Sequence, residues 1–317
     1  MRKDHYVAQT YLKHFVHPGG MLHAYRKSDL KDFPCHPGDI CREMGGDIVP
    51  DFLSKPEALG EYRKTFEPYW KPSVEALANG HAPADVKFAV SGYMANLMVT
   101  TPAATRLFVE GNNRNVIETV RAYQVLNARR GKADPKLQRA IEEVDKGRIA
   151  VETYPNFIRA MMARQLTEHA WRIYNAEWIV VKNSTRLEFV TCDNPAAFHD
   201  PGPFRGGKPI LPRYLPLTPS LCLHVVMDVS MRLDEADFSR EPQGSVRFAA
   251  IEPRGVERIN EAVVQCAEDL IISSGKRNDI EALVAKFASH RVTHEFISIP
   301  RPDGFLQAML MRVTAPE

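Results

Sequence analysis

A histidine and a glutamine stand four residues apart in the opening segment, His5-Tyr6-Val7-Ala8-Gln9-Thr10-Tyr11-Leu12-Lys13-His14-Phe15. On a helix that spacing sets both side chains on one face. Beside Leu12 and Phe15 they are expected to be partly buried, and buried polar groups need partners. A histidine in that position can give or take a proton near neutral pH. A second candidate is Thr191-Cys192-Asp193-Asn194-Pro195, at the end of a predicted strand. A strand end of this kind can present a carboxylate at the edge of a site. It is equally a turn in which Asp and Asn bond neighbouring backbone groups and Pro fixes the chain. Neither motif alone fixes a reaction.

These residues must be held by ordinary globular elements. The chain has 317 residues, 44% hydrophobic and 25% charged, with a net charge of +2. That composition fits a folded protein with a full-sized core and argues for neither a membrane nor a strongly acidic partner. No run of eighteen apolar residues occurs, so no membrane span is expected. No apolar run follows Arg2 and Lys3, so no secretory signal is expected either. Five scattered cysteines point to reduced thiols and a cytoplasmic setting. Cys35, His36 and Cys41 lack the second ligand pair of a structural zinc site and read as loop residues near Pro37-Gly38. There is no phosphate-binding glycine loop, G-x-S-x-G, H-E-x-x-H or dinucleotide fingerprint.

Periodicity divides the chain near residue 175, into a mainly helical part, 1–175, and a strand-rich α+β part, 176–317, expected to form one compact unit. The opening helix is predicted from Asp4 to Phe15, stopped by Pro18-Gly19-Gly20. A strand follows at Met21–Tyr25, then a loop over Cys35–Asp51. Ser54 with Glu57 reads as a capping box for a helix through Trp70, bent at Pro68 and Pro72. Asp85–Phe108 reads as a buried central helix that Pro102 kinks or ends. Further helices are predicted over Asn115–Arg130, Pro135–Lys146 and Pro155–Tyr174. The polar stripe Gln165, Glu168, His169, Arg172 reads as a solvated or interhelical face. Met94, Met98, Met161 and Met162 read as core filler. After Asn175 the period falls to two. Trp178–Val181 and Leu187–Thr191 are predicted to form a hairpin around Asn183-Ser184. Strands over Leu221–Val229, Ser245–Ile251, Leu270–Ser274 and Val292–Ile299 follow, with helices over Arg254–Ala267 and Asn278–Ser289. Gly202–Pro212 is loop-like and a candidate lid. The expected fold class is α+β, a helical N-terminal half packed on a mixed, mainly antiparallel C-terminal sheet.

The opening His5-Tyr6-Val7-x-Gln9-x-Tyr11-Leu12-x-x-Phe15 resembles the signature of a large bacterial family known as domain of unknown function four-two-three-eight. Its members resemble H-Y-V-P-Q-x-Y-L-x-x-F at the start, with a glutamate-bearing helix, a buried helix ending near R-T-P, a T-S-D-N-P turn and a P-L-S-P element. This chain carries corresponding residues in order: Glu67, Thr101-Pro102, Asp193-Asn194-Pro195 and Pro216 to Pro219. It departs at Ala8, at Cys192 and at Thr100, which stands in place of the arginine; Arg106 is the nearby substitute. The resemblance implies an architecture and a residue shortlist, and no activity.

Two functional readings follow. In the first, the chain is a hydrolase of phosphodiester or other phosphate-containing substrates. His5, Gln9, Glu67, Asp193 and Asn194 are its catalytic candidates and Arg106 its substrate-binding one. Carboxylates suit a hard divalent cation such as magnesium, and Arg106 suits bidentate contact with an anionic group. Basic residues between Arg114 and Arg139 leave nucleic acid open as a partner. In the second reading the chain is a non-catalytic binding or interaction protein. The same polar residues then form a structural network, with His5 and Gln9 satisfying backbone groups and Glu67 paired with an interior arginine.

Overall fold

The computed structural model describes residues 3–199, 210–228, 236–301 and 304–315. The loop-like segment proposed as a lid lies mostly outside them.

The first residues pair as a strand before any helix begins. β1 (Lys3–His5) runs antiparallel to β4 (Arg42–Met44), with His5 opposite Arg42. Helix α1 covers only Gln9–Leu12 and continues as a single 3₁₀ turn, Lys13–Phe15. The expectation of one helix from Asp4 is therefore corrected. His5 and Gln9 lie on different elements because the backbone of His5 is engaged by β4. The burial behind that expectation holds, since Val7, Tyr11, Leu12 and Phe15 are all fully buried.

A helical block follows. α2 (Ala58–Ala78) runs through Pro68 and Pro72. Its N-cap is Glu57 with no side-chain cap bond, so Ser54 does not start it. α3 (Ala84–Thr100) is buried on almost every side, as its apolar composition demands. Gly92 lets Phe66 of α2 approach it, because a Cβ there would lie 2.2 Å from the Phe66 ring. Thr101 and Pro102 end α3 and start α4 (Pro102–Arg129), with the Thr101 hydroxyl accepting from the Ala104 amide at 3.3 Å. Asp134 caps α5 (Pro135–Asp145) in the same way, at 2.8 Å from the Lys136 amide. α5 has no buried residue, and beyond Gly111 only Gln124 of α4 is buried. α6 spans Pro155–Tyr174 and packs on α3. Of the four methionines, Met94 and Met162 fill the core, whereas Met161 is 39% exposed.

The strands form several sheets. β2 (Leu22–Arg26) and β3 (Asp32–Cys35) join β10 (Leu270–Ser273) and β6 (Thr191–Cys192) in the antiparallel order β3-β2-β10-β6. Strands from the two ends of the sequence thus share one sheet. A second sheet, β7-β8-β5-β9, holds β7 (Ile210–Thr218), β8 (Leu221–Asp228), β5 (Glu177–Asn183) and β9 (Val246–Ile251). Its β5–β9 pairing is parallel, and its other two are antiparallel. β11 (Arg291–Arg301) and β12 (Gly304–Thr314) form a long hairpin. Helices α7 (Pro253–Cys266) and α8 (Asn278–Lys286) complete an α+β protein whose sheets are mixed and mainly antiparallel.

The expected hairpin around Asn183-Ser184 does not form. β5 pairs with β8 and β9 instead, and Leu187–Val190 is not a strand. Asn183 closes a local turn through Thr185 and the Leu187 carbonyl. The amides of Phe189 and Val190 go to the Pro219 carbonyl and the Asn260 side chain. Pro216–Thr218 is part of β7 itself, with a register shift between Pro216 and Thr218.

Candidate functional site

His5 and Gln9 meet at the Pro37-Gly38 turn even though no helix joins them. Gly38 lies against the Gln9 amide, about where a Cβ would sit 3.7 Å from Nε2. Burial lowers the pKa of His5, the Gly38 carbonyl works against that, and Arg42 and Arg63 lower it further. The ring is therefore mostly neutral at pH 7, and its Nε2 is buried without a partner. The next side chain, the Tyr6 hydroxyl, is hydrogen-bonded to the Cys41 thiol.

Beneath this turn lies Arg63 of α2, 7% exposed. Its guanidinium donates to both carboxylate oxygens of Asp47, at 2.8 and 2.5 Å, and to the His5 carbonyl. Its Nε lies 2.9 Å from Glu67, one helical turn on. Gly60 makes room for Asp47, since a Cβ there would lie 3.1 Å from Oδ2. Burial raises the pKa of Glu67, and Arg63 opposes the rise. Glu67 is thus the counter-ion of an interior arginine. Sequence reasoning missed Arg63 and Asp47. The Arg63–Glu67 spacing of four was the available signal.

Asp193 sits in a different cluster. Its carboxylate is 3% exposed and accepts three backbone amides, Glu268 and Asp269 at 2.8 Å and Leu270 at 2.9 Å. Burial pushes its pKa up to about 6 against the pull of those three bonds. The Asn194 amide donates to the Cys266 carbonyl at 2.9 Å, and its oxygen accepts from Thr101 at 3.4 Å. The buried Lys27 ammonium donates to the carbonyls of Ala267 at 2.9 Å, His290 at 2.6 Å and Gln265 at 3.4 Å. A cation on the carbonyls and an anion on the amides therefore hold the connector from α7 to β10.

Arg106 belongs to this second cluster. Its fork meets Glu268 at 2.7 and 2.8 Å, and Nη2 also donates to the Val292 carbonyl at 2.8 Å. Glu110 takes the remaining side of the guanidinium at 3.1 Å. The bidentate partner anticipated for Arg106 is present, and it is the protein's own glutamate.

The six candidate side chains thus fall into two groups: His5 and Glu67 at Arg63 with Gln9 at the Gly38 turn, and Asp193, Asn194 and Arg106 around residues 266–270. The Tyr6–Cys41 pair lies between them. Burial raises the pKa of both, and the charge of Asp193 adds to it. The opening segment reaches the strand before Asp193 through the Tyr11 hydroxyl, 2.7 Å from Thr191 Oγ1 and 2.6 Å from the Pro216 carbonyl. Among the described residues, no three His, Cys, Asp or Glu side chains converge as metal ligands. His14 packs on Trp70, His17 accepts from the Gly19 amide, and His23 pairs with Asp32 at 2.7 Å. No helix among the described residues is long and apolar enough to cross a membrane.

The family described as "Protein of unknown function (DUF4238)" matches residues 98–277, more than half of the chain. The chain belongs to this family. The matched residues contain Arg106, Asp193, Asn194 and the whole connector from α7 to β10, whereas His5, Gln9 and Glu67 precede them. No curated protein and no solved structure matches the chain.

Proposed function

We propose that this DUF4238 member is a non-catalytic binding or interaction protein whose polar constellation is architecture. The observation that carries this reading is Asp193, whose two carboxylate oxygens are both bonded to the connector's own amides. Arg106 on Glu268 and Glu67 on Arg63 support it, because each candidate catalytic charge already has a protein partner. Nucleic acid is the partner class favoured by charge. Arg129, Arg130, Lys132, Lys136 and Arg139 are exposed around the α4–α5 turn, and none forms an ion pair among the described residues. Such a cluster contacts phosphates without reading sequence.

The hydrolase reading retains one observation in its favour, the unpartnered Nε2 of a neutral His5 beside Gln9. One experiment separates the two. The protein is melted in chelator and then in magnesium, manganese or zinc, and each sample is assayed on a chromogenic phosphodiester. The architectural reading expects one melting temperature throughout and no turnover, since only a bound metal shifts the transition. A metal-dependent rise, with turnover that His5→Ala abolishes, overturns it.

A further inference from the structure

The two edges of the second sheet are built differently. β7 carries Pro212 and Pro216, shifts register between Pro216 and Thr218, and gives its Tyr214 amide to the Ala197 carbonyl at 2.7 Å. In the first sheet, the edge strand β3 carries Pro34 and the edge strand β6 is only two residues long. Prolines, bulges, covering segments and short strands all keep a sheet edge from pairing with another chain. Among the described residues, β9 has none of these. Its sequence, Val246-Arg247-Phe248-Ala249-Ala250-Ile251, holds one charge and no proline. Its four central residues are exposed, Phe248 by 38%.

The parallel pairing with β5 fixes which backbone groups of β9 point away. The Trp178 amide donates to the Ser245 carbonyl at 2.9 Å, and Trp178 stands opposite Val246. Successive residues of a strand direct their N–H and C=O to opposite sides, so those of Ser245, Arg247, Ala249 and Ile251 face β5. Those of Val246, Phe248 and Ala250 face outward, and they have no backbone partner among the described residues. Parallel strands are normally covered on both faces. Here Phe248 and Ala250 stand on one face and Arg247 and Ala249 on the other, and all four are exposed.

We infer that a second copy of this chain pairs with the β9 edge, antiparallel, about a two-fold axis that passes through Phe248 normal to the sheet. In that register Val246 faces Ala250, Phe248 faces its own copy and Ala250 faces Val246, so every outward N–H and C=O of the strand gains a partner. The side chains match as well. Phe248 meets Phe248 as an aromatic cross-strand pair, and Arg247 faces Ala249, so no like charges are opposed. The strand is thus its own complement, which favours a second copy over a foreign strand. The two four-stranded sheets become one of eight. The blocked β7 edge ends that sheet on each side, so the assembly closes at two copies. None of these residues belongs to the Asp193 or Arg63 clusters, and the inference does not depend on how those are read.

Sedimentation velocity of the full chain, run up to its highest soluble concentration, reads the oligomer. A reversible dimer is expected. Ala250→Pro removes an N–H that faces outward, so the ladder to β5 is kept. Dimerisation is expected to weaken at least about tenfold in that variant, because two hydrogen bonds are lost by symmetry. A circular-dichroism melt of dilute protein checks that it folds. Cysteine variants at exposed positions test the register, since the native cysteines are buried. Oxidation of Phe248→Cys sets two thiols opposite one another and is expected to give a covalent dimer. Arg247→Cys, which faces Ala249, is expected to give far less. A chain that stays monomeric overturns the second copy as occupant. A dimer that survives Ala250→Pro, an assembly that grows beyond two copies, or equal cross-linking at both cysteines overturns the pairing through β9.

Discussion

Removing the Asp193 carboxylate tests the architectural reading most directly. In Asp193→Ala the amides of Glu268, Asp269 and Leu270 all lose their acceptor. An unsatisfied buried donor costs about 1–3 kcal/mol. Three adjacent donors share whatever water enters the gap, so the lower part of the range applies to each, and the sum is about 3–5 kcal/mol. Asp193→Asn is more discriminating because it keeps the shape. Its one oxygen can take the place of Oδ2, which serves Asp269 and Leu270, but its NH₂ then faces the Glu268 amide. Its expected cost is about 1–3 kcal/mol. For a chain of this length the unfolding entropy is about 0.7 kcal/mol per kelvin, so the melting point drops about 4–7 °C for Ala and about 1–4 °C for Asn. The scans belong near pH 8, above the raised pKa of about 6, where the carboxylate is ionised in the parent. Hydrogen exchange adds a local readout: the amides of 268–270 should lose protection in both variants. An Asn variant that melts with the parent and keeps those amides protected refutes the clamp.

Two other outcomes are expected. Gly92→Ala puts a Cβ 2.2 Å from the Phe66 ring between α2 and α3, and overpacking of this kind costs about 1–3 kcal/mol; urea unfolding checks it, and pairing the change with Phe66→Leu should recover part of the loss. All five cysteines are buried and none is in a disulfide, and burial raises the pKa of each of Cys35, Cys41, Cys192 and Cys222. A thiol reagent should therefore label almost none in the native protein at neutral pH and all five in denaturant.

The helices were legible in the sequence because their signals are local. Pro155 starts α6, Asp134-Pro135 starts α5, and Thr101-Pro102 separates α3 from α4, each by cap chemistry contained in a few residues. The misread elements depend on distant partners. His5 becomes a strand residue through Arg42, and Leu187–Val190 leaves the sheet because its amides are taken by Pro219 and Asn260. At the candidate site, the shortlist found residues that are indeed buried and polar. It missed their partners, Arg63, Asp47, Lys27 and Glu268. Arg63 was within reach through its spacing to Glu67. Lys27 was not, since nothing in Arg26-Lys27-Ser28 says that the ammonium will meet carbonyls some 240 residues away.

The clamp on the connector also orders events during synthesis. Lys27 leaves the ribosome first and Asp193 well after it, but the groups they bind, from Gln265 to His290, come later than both. β10 is made equally late, and it is the strand that joins β2 to β6. A nascent chain that has reached residue 260 therefore carries an ammonium and a carboxylate destined for the interior, and the edge of β2 has no neighbour on that side. Its helical block can assemble as it emerges, because α3 packs on both α2 and α6 and all three are already complete. The sheet cannot close until β10 has been made. Until then the exposed β2 edge is the place where a chaperone, or another unfinished chain, meets it first.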